Sequence, residues 1–204
     1  VSGRGRVQVF ELCRLLGLPR GVAELGCVHV EGHQVRYELG AFPFTGVTPV
    51  EAMRERGAIQ AACDLGLEPH EPWNEGREAT YLLRGRVTVE EANAVLAGLG
   101  FGWCELADNG TLPRRGPGVR AYHLGPAGTG KAFGVRADRD HHAVSREATA
   151  YVGDSASDVA CAAEVGQLWL VANADPELDW PRRTTASHGD GVAEVLERVA
   201  GRVR

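Results

Sequence analysis

Two carboxylates four residues apart, Asp154 and Asp158, follow a short apolar run that ends at Gly153. Runs of this kind are typical of buried parallel strands, and open α/β sheets bind their ligands beyond the carboxyl ends of such strands. If a helix begins after Ser155, both carboxylates converge on one point. Carboxylates, waters and phosphate oxygens are the ligands that Mg²⁺ prefers. The segment therefore predicts a magnesium site that includes Asp154 and Asp158.

A glycine-rich loop before Lys131 offers a different chemistry. The stretch from Gly125 to Lys131 fits the phosphate-binding pattern G-x-x-x-x-G-K, but Ala132 stands where the pattern has a hydroxyl residue that ligates Mg²⁺. Nucleotide-hydrolysing folds usually begin near this loop, whereas most of this chain precedes it. A nucleotide hydrolase that uses Lys131 stays open as the weaker alternative.

The first residues, Ser2-Gly3-Arg4, lie just before an apolar pattern of helical spacing that runs from Val7 to Leu16 and stops at Gly17. The pattern predicts a helix, and Ser2 could simply be its N-cap. The chain thus begins on a turn with almost none of the strand expected to lead into it, and Val1 stands in place of an initiator methionine. We therefore expect a part of the fold to lie upstream of Val1.

The composition and net charge limit the kinds of molecule that the protein is expected to bind. The 204 residues can bury a sizeable core, and 44% apolar with 24% charged residues is ordinary for a soluble globular protein. A net charge of -5 leaves no basic stripe for nucleic acid, so small molecules are favoured. The five cysteines are scattered without a C-x-x-C pair, which favours neither a disulfide framework nor a zinc site and fits the cytoplasm. No apolar run is long enough to span a bilayer, so no membrane is expected.

The elements that position these groups follow from periodicity and capping signals. Thr48, Pro49 and Glu51 form a capping box that opens a helix over 48–66. A small α+β module follows, and after it the pattern of a sheet resumes. The further predicted elements are a strand over 80–87, a helix over 88–99, a strand over 101–106, a turn at 108–110, a linker over 112–118, a strand at 122–124, a helix from Lys131, a strand around Tyr151, a helix to Val165, a strand over 168–171 and a last helix from Gly191.

Taken together, Ser2-Gly3-Arg4, Lys131 and Gly153–Asp158 resemble motifs II, III and IV of the haloacid dehalogenase (HAD) superfamily phosphatases. Their order, with an α+β module between the first two, is that of the Cof-like subgroup, which includes mannosyl-3-phosphoglycerate and sucrose-phosphate phosphatases. Further stretches also resemble this family: Ala23–Gly26, Asn173-Ala174 and Gly191–Ala193.

The resemblance implies a fold and a division of the chain. The fold class is α/β: a HAD-like Rossmannoid three-layer core, here without its N-terminal strand unit, with an inserted α+β cap domain. The expected boundaries are core residues 1–44, cap residues 45–118 and core residues 119–204. Three arginines of the cap, Arg77, Arg84 and Arg114, are candidates to contact an acidic or phosphorylated substrate.

The resemblance also implies roles. Phosphate would be bound by the Ser2 hydroxyl and the Gly3 N–H, with Arg4, Lys131 and Asn173 contributing; Ser2, Lys131 and Asp154 would be catalytic. Asp154 would hold Mg²⁺ directly, Asp158 would bind it through water or anchor the loop, and Ser155 would assist as a partner of the metal site. The family's Asp-x-Asp motif, which supplies nucleophile and general acid, is expected before Ser2. Asp138-Arg-Asp140 has its spacing but is expected at the surface near a helix end.

The implied function is that of a Mg²⁺-dependent phosphomonoesterase that works through a phosphoaspartyl intermediate on a small phosphorylated metabolite, such as a phosphosugar or mannosyl-3-phosphoglycerate. Its nucleophile would lie upstream of residue 1, so the 204 residues alone are expected to be inactive. A truncated or degenerate protein that binds phosphate or metal without catalysis is the main alternative. The chain is expected to be a monomer or a homodimer.

Overall fold

A computed structural model describes residues 1–201. This part of the chain divides into two compact units, one that runs from Val1 to Gly134 and one that begins at Val135. The described strands form three hydrogen-bonded sheets, of three, four and two strands. None of the helices within residues 1–201 is both long and apolar enough to cross a bilayer.

The first unit opens with helix α1, Arg6–Leu16, which ends where Gly17 adopts the left-handed conformation (φ 64°) that favours glycine. Three short strands follow: β1, Arg20–Ala23, β2, Val28–Glu31, and β3, Gln34–Tyr37. They form an antiparallel sheet in the order β1-β2-β3. Helix α1 buries Val9 and Cys13 in a cluster with Ala23, Cys27 and Val28. The helix predicted from the apolar pattern is confirmed, although Val7, Leu15 and Leu16 of that pattern are exposed.

Helices α2, Pro49–Glu55, and α3, Ala58–Asp64, replace the single helix expected over 48–66. The break lies at Gly57, whose φ of 86° is incompatible with a continuous helix. The predicted capping box is confirmed, since Glu51 N donates to Thr48 Oγ1 at 3.2 Å and Thr48 N donates to Glu51 Oε2 at 2.8 Å.

These helices belong to a module with a four-stranded antiparallel sheet in the order β4-β5-β7-β6. The strands are β4, Glu68–Pro69, β5, Tyr81–Gly85, β6, Cys104–Thr111, and β7, Arg120–Pro126; helix α4, Val89–Leu96, lies between β5 and β6 in the chain. The core of the module is a cluster of fully buried side chains that includes Met53, Leu83, Leu96, Leu106, Tyr122 and Leu124.

Two expectations for this module are wrong in detail. The segment 108–110 is not a turn between elements but part of β6, where the register with β7 shifts between Asp108 and Thr111. Thr88 is the N-cap of α4, but its side chain makes no capping hydrogen bond. The sheet continues to Pro126, past the predicted cap boundary at Gly118; the division of the chain into core and cap stays a prediction.

Helix α5, Lys131–His141, begins in the first unit and is followed by the elements of the second. Strands β8, Ala150–Gly153, and β9, Gln167–Leu170, are parallel, as the apolar runs predicted. The helix expected up to Val165 is only the short α6, Ala156–Val159, followed by a 3₁₀ stretch, Ala160–Glu164. Helix α7, His188–Ala200, begins before the expected Gly191.

Candidate active site

The segment Ser2-Gly3-Arg4 is held against the end of β1 by backbone hydrogen bonds. Ser2 N donates to Val22 O at 2.8 Å, Leu25 N donates to Ser2 O at 3.0 Å, and Glu24 N donates to Arg4 O at 2.9 Å. The Ser2 hydroxyl oxygen accepts from Arg4 N at 3.2 Å. The serine turn is therefore a fixed feature of the first unit.

Ser2 is not the N-cap of α1, so that alternative is wrong. The N-cap is Gly5, whose N–H donates to the side chain of Gln8 at 3.1 Å, and the helix begins at Arg6. Ser2 lies three residues before the cap. Its hydroxyl proton remains available to an anion placed near the positive end of the helix dipole.

Glu24, directly after β1, is a buried carboxylate with a structural role that the sequence did not reveal. Its oxygens accept from three consecutive backbone N–H groups just before β5: Glu78 N at 3.2 Å, Ala79 N at 2.9 Å and Thr80 N at 2.8 Å. Because a buried carboxylate is stable only when its lone pairs are satisfied, this set of bonds ties the segment after β1 to the α+β module.

Arg77, one of the three candidate arginines, is buried and points at the serine turn. Its Nη2 donates to Gly3 O at 2.6 Å, Nη1 to Thr80 Oγ1 at 2.9 Å and Nε to Trp73 O at 2.8 Å. Burial lowers the pKa of Arg77, and the nearby Glu24 carboxylate opposes that shift. Arg77 therefore orients the peptide group between Gly3 and Arg4, whereas Arg84 pairs with Glu68 at 3.0 Å.

A cavity of about 380 Å³ opens above the serine turn. Ser2, Gly3 and Arg4, with Gln8 of α1, line the side that we call its floor, and the other lining residues, which we call its walls, belong to the α+β module. Two polar side chains of the module lie over Gly3: a Cβ placed on that glycine would be 3.1 Å from His123 Nε2 and 3.5 Å from Asn109 Oδ1. The absence of a side chain at Gly3 thus keeps the cavity open to the backbone.

The shift in strand register explains how Asn109 reaches this cavity. Asn109 lies in β6 within the irregularity between Asp108 and Thr111. Such bulges redirect side chains and are common beside functional sites. The Asp-Asn-Gly sequence predicted a turn, but in the structure these residues form a bulge within β6.

Lys131 is the first residue of α5 and lies half-buried in the first unit. Its charge contributes to lowering the pKa of His123, after burial and the charge of Arg77, which indicates that the lysine acts on the same polar region. The turn at Gly26 packs against the start of α5: a Cβ at Gly26 would lie 2.9 Å from the Gly134 Cα and would collide with the Gly130 carbonyl. This close approach fixes the position of Lys131.

The alternative phosphate-binding loop is not supported by the geometry. The residues Gly125 and Pro126 are paired in the antiparallel sheet, whereas the phosphate-binding pattern joins a parallel strand to a helix. The Gly128 N–H, which would face a phosphate, donates to Glu105 Oε1 at 3.0 Å. A carboxylate in that position would repel a phosphate.

In the second unit, Asp158 is buried and anchors the loop that follows β8. Its Oδ2 accepts from Asp154 N and Ser155 N, each at 3.1 Å, and from Ser155 Oγ at 2.6 Å, while Oδ1 accepts from Tyr151 Oη at 2.8 Å. Burial and the Asp158 carboxylate raise the pKa of Tyr151, so the tyrosine stays a donor. Two roles were expected for Asp158, binding of Mg²⁺ through water and anchoring of the loop. These hydrogen bonds are those of an anchor.

Asp154 is exposed at the carboxyl end of β8, next to the loop that follows β9. Asp175 N donates to Asp154 O at 3.2 Å, and Val171 N donates to Gly153 O at 3.0 Å. Asn173 lies in that second loop, and its side-chain oxygen accepts from His188 N at 2.7 Å. The second unit thus brings the predicted metal loop and the predicted Asn173 loop to one edge of a parallel pair, which is where such sheets bind ligands.

Asp138 and Asp140 lie near the end of α5, as expected, and not at the end of a strand. The predicted groups therefore fall into two sets, with Ser2, Gly3, Arg4 and Lys131 in the first unit and Asp154, Ser155, Asp158 and Asn173 in the second. That both sets act on one phosphate stays a prediction.

Comparison with solved structures identifies the fold. A haloacid dehalogenase-like hydrolase from Bacteroides thetaiotaomicron matches 97% of this chain and 84% of its own, with a TM-score of 0.66 and 16% identity. The sucrose-phosphatase from Synechocystis sp. PCC6803, solved with sucrose and phosphate, matches 97% of this chain and 82% of its own, with a TM-score of 0.65 and 18% identity. The fold is that of the haloacid dehalogenase-like hydrolases. The resemblance and the fold class expected from the motifs are confirmed.

Sequence relatives agree with the expectation of a hydrolase. A phosphoglycolate phosphatase from Staphylothermus marinus is 40% identical over 84 residues, which are 39% of this chain and 34% of that protein's length. A phosphoglycolate phosphatase from Halobacterium salinarum is 26% identical over 97% of this chain and 81% of its own. No protein-family model matches the chain.

Proposed function

We propose that the chain is a Mg²⁺-dependent HAD-type phosphomonoesterase that acts on a small phosphorylated metabolite. The observation that supports this most directly is the polar cavity above the serine turn, whose floor is the predicted phosphate-binding segment Ser2–Arg4 and whose walls bear Arg77 and His123. Such a cavity suits a compact anion with a short leaving group. The fold and the names of the relatives point to the same reaction class.

The relatives also favour one substrate. The match to a phosphoglycolate phosphatase spans nearly the whole chain, whereas the likeness to the sucrose-phosphatase is one of fold. We therefore place phosphoglycolate first and a sugar phosphate second. Mannosyl-3-phosphoglycerate, the other substrate that the resemblance implied, is not named among the relatives reported above.

In the proposed mechanism the residues of this chain position and neutralise the phosphate. The Ser2 hydroxyl and the Gly3 N–H would donate to its oxygens, and Lys131 would add a positive charge. The oxygen donors around Asp154 are of the kind that Mg²⁺ takes, so Asp154, with Ser155 beside it, would hold the ion, which supplies Lewis-acid stabilisation of the transferring phosphoryl group. Asp158 would hold the loop in place.

The nucleophile would be an aspartate of a segment preceding Val1, as the family resemblance implies. The reaction would proceed through a phosphoaspartyl enzyme that water then hydrolyses. A cytoplasmic location, and a monomer or homodimer, stay predictions.

Phosphate release tests the proposal. We would compare phosphoglycolate with p-nitrophenyl phosphate, with and without Mg²⁺, for the 204-residue chain and for one extended by its upstream residues. The extended protein should be active and Asp154→Asn should reduce its kcat by about 10²-fold or more. The control Asp190→Asn, at an exposed position in the first turn of α7, should leave kcat unchanged.

Three results would count against the proposal. Turnover by the 204 residues alone would refute the upstream nucleophile, and full activity of Asp154→Asn would refute its metal role. An extended protein that binds phosphate but releases none would favour the non-catalytic alternative.

A further inference from the structure

His123 lines the cavity, and one of its ring nitrogens is buried without a hydrogen-bond partner among the described residues. The side chain is 1% exposed, and its Nε2 makes no hydrogen bond within the described part of the chain. This nitrogen faces Gly3, the residue at the floor of the cavity. A buried polar atom without a partner is uncommon in folded proteins and is a reason to expect a ligand.

The hydrogen bonds of Thr80 determine which ring nitrogen carries the proton. Thr80 Oγ1 accepts from Arg77 Nη1 at 2.9 Å and lies 3.0 Å from His123 Nδ1, but 3.4 Å from Glu24 Oε2. Hydroxyl hydrogen bonds span about 2.5–3.0 Å. Because the contact with His123 is the shorter of the two, we assign the single hydroxyl proton to His123 Nδ1 rather than to Glu24. With this assignment the ring proton is on Nε2, the nitrogen that lies against Gly3 at the floor of the cavity.

The surroundings of His123 favour the neutral form of its ring. Burial lowers the pKa of His123 well below its ordinary value, and the charges of Arg77 and Lys131 lower it further. The imidazole therefore offers one N–H donor over a wide pH range, held in a fixed tautomer by Thr80. A neutral donor of this kind binds an anion without exchanging a proton with it.

We propose that His123 recognises the leaving group of the substrate, with its Nε2–H donating to a carboxylate oxygen. This inference rests on the proposed function, in which the phosphate itself is bound by the serine turn. The substrate class is then a phosphorylated short hydroxy acid, of which phosphoglycolate is the smallest. A carboxylate gains more than a hydroxyl from such a donor because charged acceptors make stronger hydrogen bonds, and the cations around the cavity favour a second negative charge.

A pair of non-hydrolysable ligands isolates this contact. The probe 3-phosphonopropionate replaces the ester oxygen of phosphoglycolate by a methylene group, and propylphosphonate has a methyl group in place of the carboxylate. Calorimetry with the 204-residue chain and Mg²⁺ should give about 10- to 100-fold tighter binding of the first, the range expected for a charge-assisted hydrogen bond.

Variants of His123 test whether this residue causes the tighter binding of the ligand that carries a carboxylate. His123→Phe keeps a ring of similar size but has no donor, and it should reduce the affinity ratio to near one; His123→Gln, which retains an N–H, should recover part of it. The same change at the exposed β-hairpin residue, His33→Phe, should keep the ratio. Imidazole ¹⁵N shifts of the unmodified protein should show the Nε2–H tautomer at neutral pH.

Each outcome bears on a different claim. An unchanged ratio in His123→Phe, or a proton on Nδ1, overturns the role of His123 while a phosphate site stands. Equal binding of the two ligands by the unmodified protein refutes carboxylate recognition and favours a substrate with hydroxyl groups. Binding of neither ligand refutes the proposed phosphate site itself, and this inference with it.

Discussion

Removal of the Glu24 carboxylate should cost a large fraction of the stability of the fold. Glu24→Ala leaves the backbone N–H groups of Glu78, Ala79 and Thr80 without their acceptor in a buried place. Each orphaned donor costs about 1–3 kcal/mol. Since water can enter the space left by the side chain and the costs are not additive, we expect a total loss of about 3–5 kcal/mol, against a typical stability of about 5–15 kcal/mol.

A graded series makes this expectation sharper. Glu24→Gln retains one side-chain oxygen, which can still accept from Ala79 N and Thr80 N, so the loss should fall to about 1–2 kcal/mol. Glu11→Ala removes an exposed glutamate whose partner is Arg14 three residues on, and it should cost less than about 1 kcal/mol.

The assay is urea denaturation followed by circular dichroism, with thermal melting as a second measurement. For a chain of this size, about 1 kcal/mol shifts Tm by about 2–4 °C, so Glu24→Ala should lower Tm by roughly 6–20 °C. A loss below about 1 kcal/mol for Glu24→Ala, or a loss no larger than that of Glu11→Ala, would refute the structural role of the carboxylate.

Three further predictions concern other contacts. Gly26→Ala should destabilise the fold by more than about 1 kcal/mol, measured by urea denaturation, because the added methyl group collides with Gly130 O and φ at this position is 111°; an unaltered midpoint would contradict the close packing. Asp158→Asn should cost about 1–3 kcal/mol in the same assay, since one of its two acceptor oxygens is lost, and no change would argue against the anchor. Burial raises the pKa of the Cys27 thiol to about 12, so at pH 8 it stays protonated and alkylation monitored by mass spectrometry should modify the half-exposed Cys63 first; faster modification of Cys27 would show that its thiol is accessible.

The sequence predicted the elements whose signals are local. The apolar spacing of α1, the capping box at Thr48 and the parallel strand around Tyr151 each depend on a few adjacent residues, and all three are confirmed. The break at Gly57 was missed because a single glycine within a helical pattern is usually tolerated. The bulge at Asn109 was missed because Asp-Asn-Gly is more often a turn than an interruption in a strand.

The candidate site was predictable only in part, and the reason is sequence separation. The motif residues Ser2 and Lys131 are found from short strings, but other contacts around the candidate site join residues more than 50 positions apart, as in the hydrogen bonds from Arg77 to Gly3 and from Thr80 to Glu24. A lone Glu or His in an apolar segment carries no pattern of its own. The one available signal was the occurrence of Glu24 between apolar residues, where an unpaired charge is costly and a partner must exist.

Arg77 shows why an arginine, and not simply any positive charge, is needed to hold its neighbours in place. Its three donors reach three acceptors in different parts of the first unit, Trp73 O, Thr80 Oγ1 and Gly3 O, from one rigid plane. A lysine would bring the same charge, but its three donors all sit on one nitrogen at the end of a flexible stem, so it could not reach the Gly3 carbonyl, the Trp73 carbonyl and the Thr80 hydroxyl in the same way. Thr80 Oγ1 also contacts His123 Nδ1. By holding the Thr80 hydroxyl, the guanidinium therefore also affects which nitrogen of His123 carries the proton. Arg77 thus contacts the Gly3–Arg4 peptide group at the floor of the cavity and, through the Thr80 hydroxyl, the His123 ring at its wall.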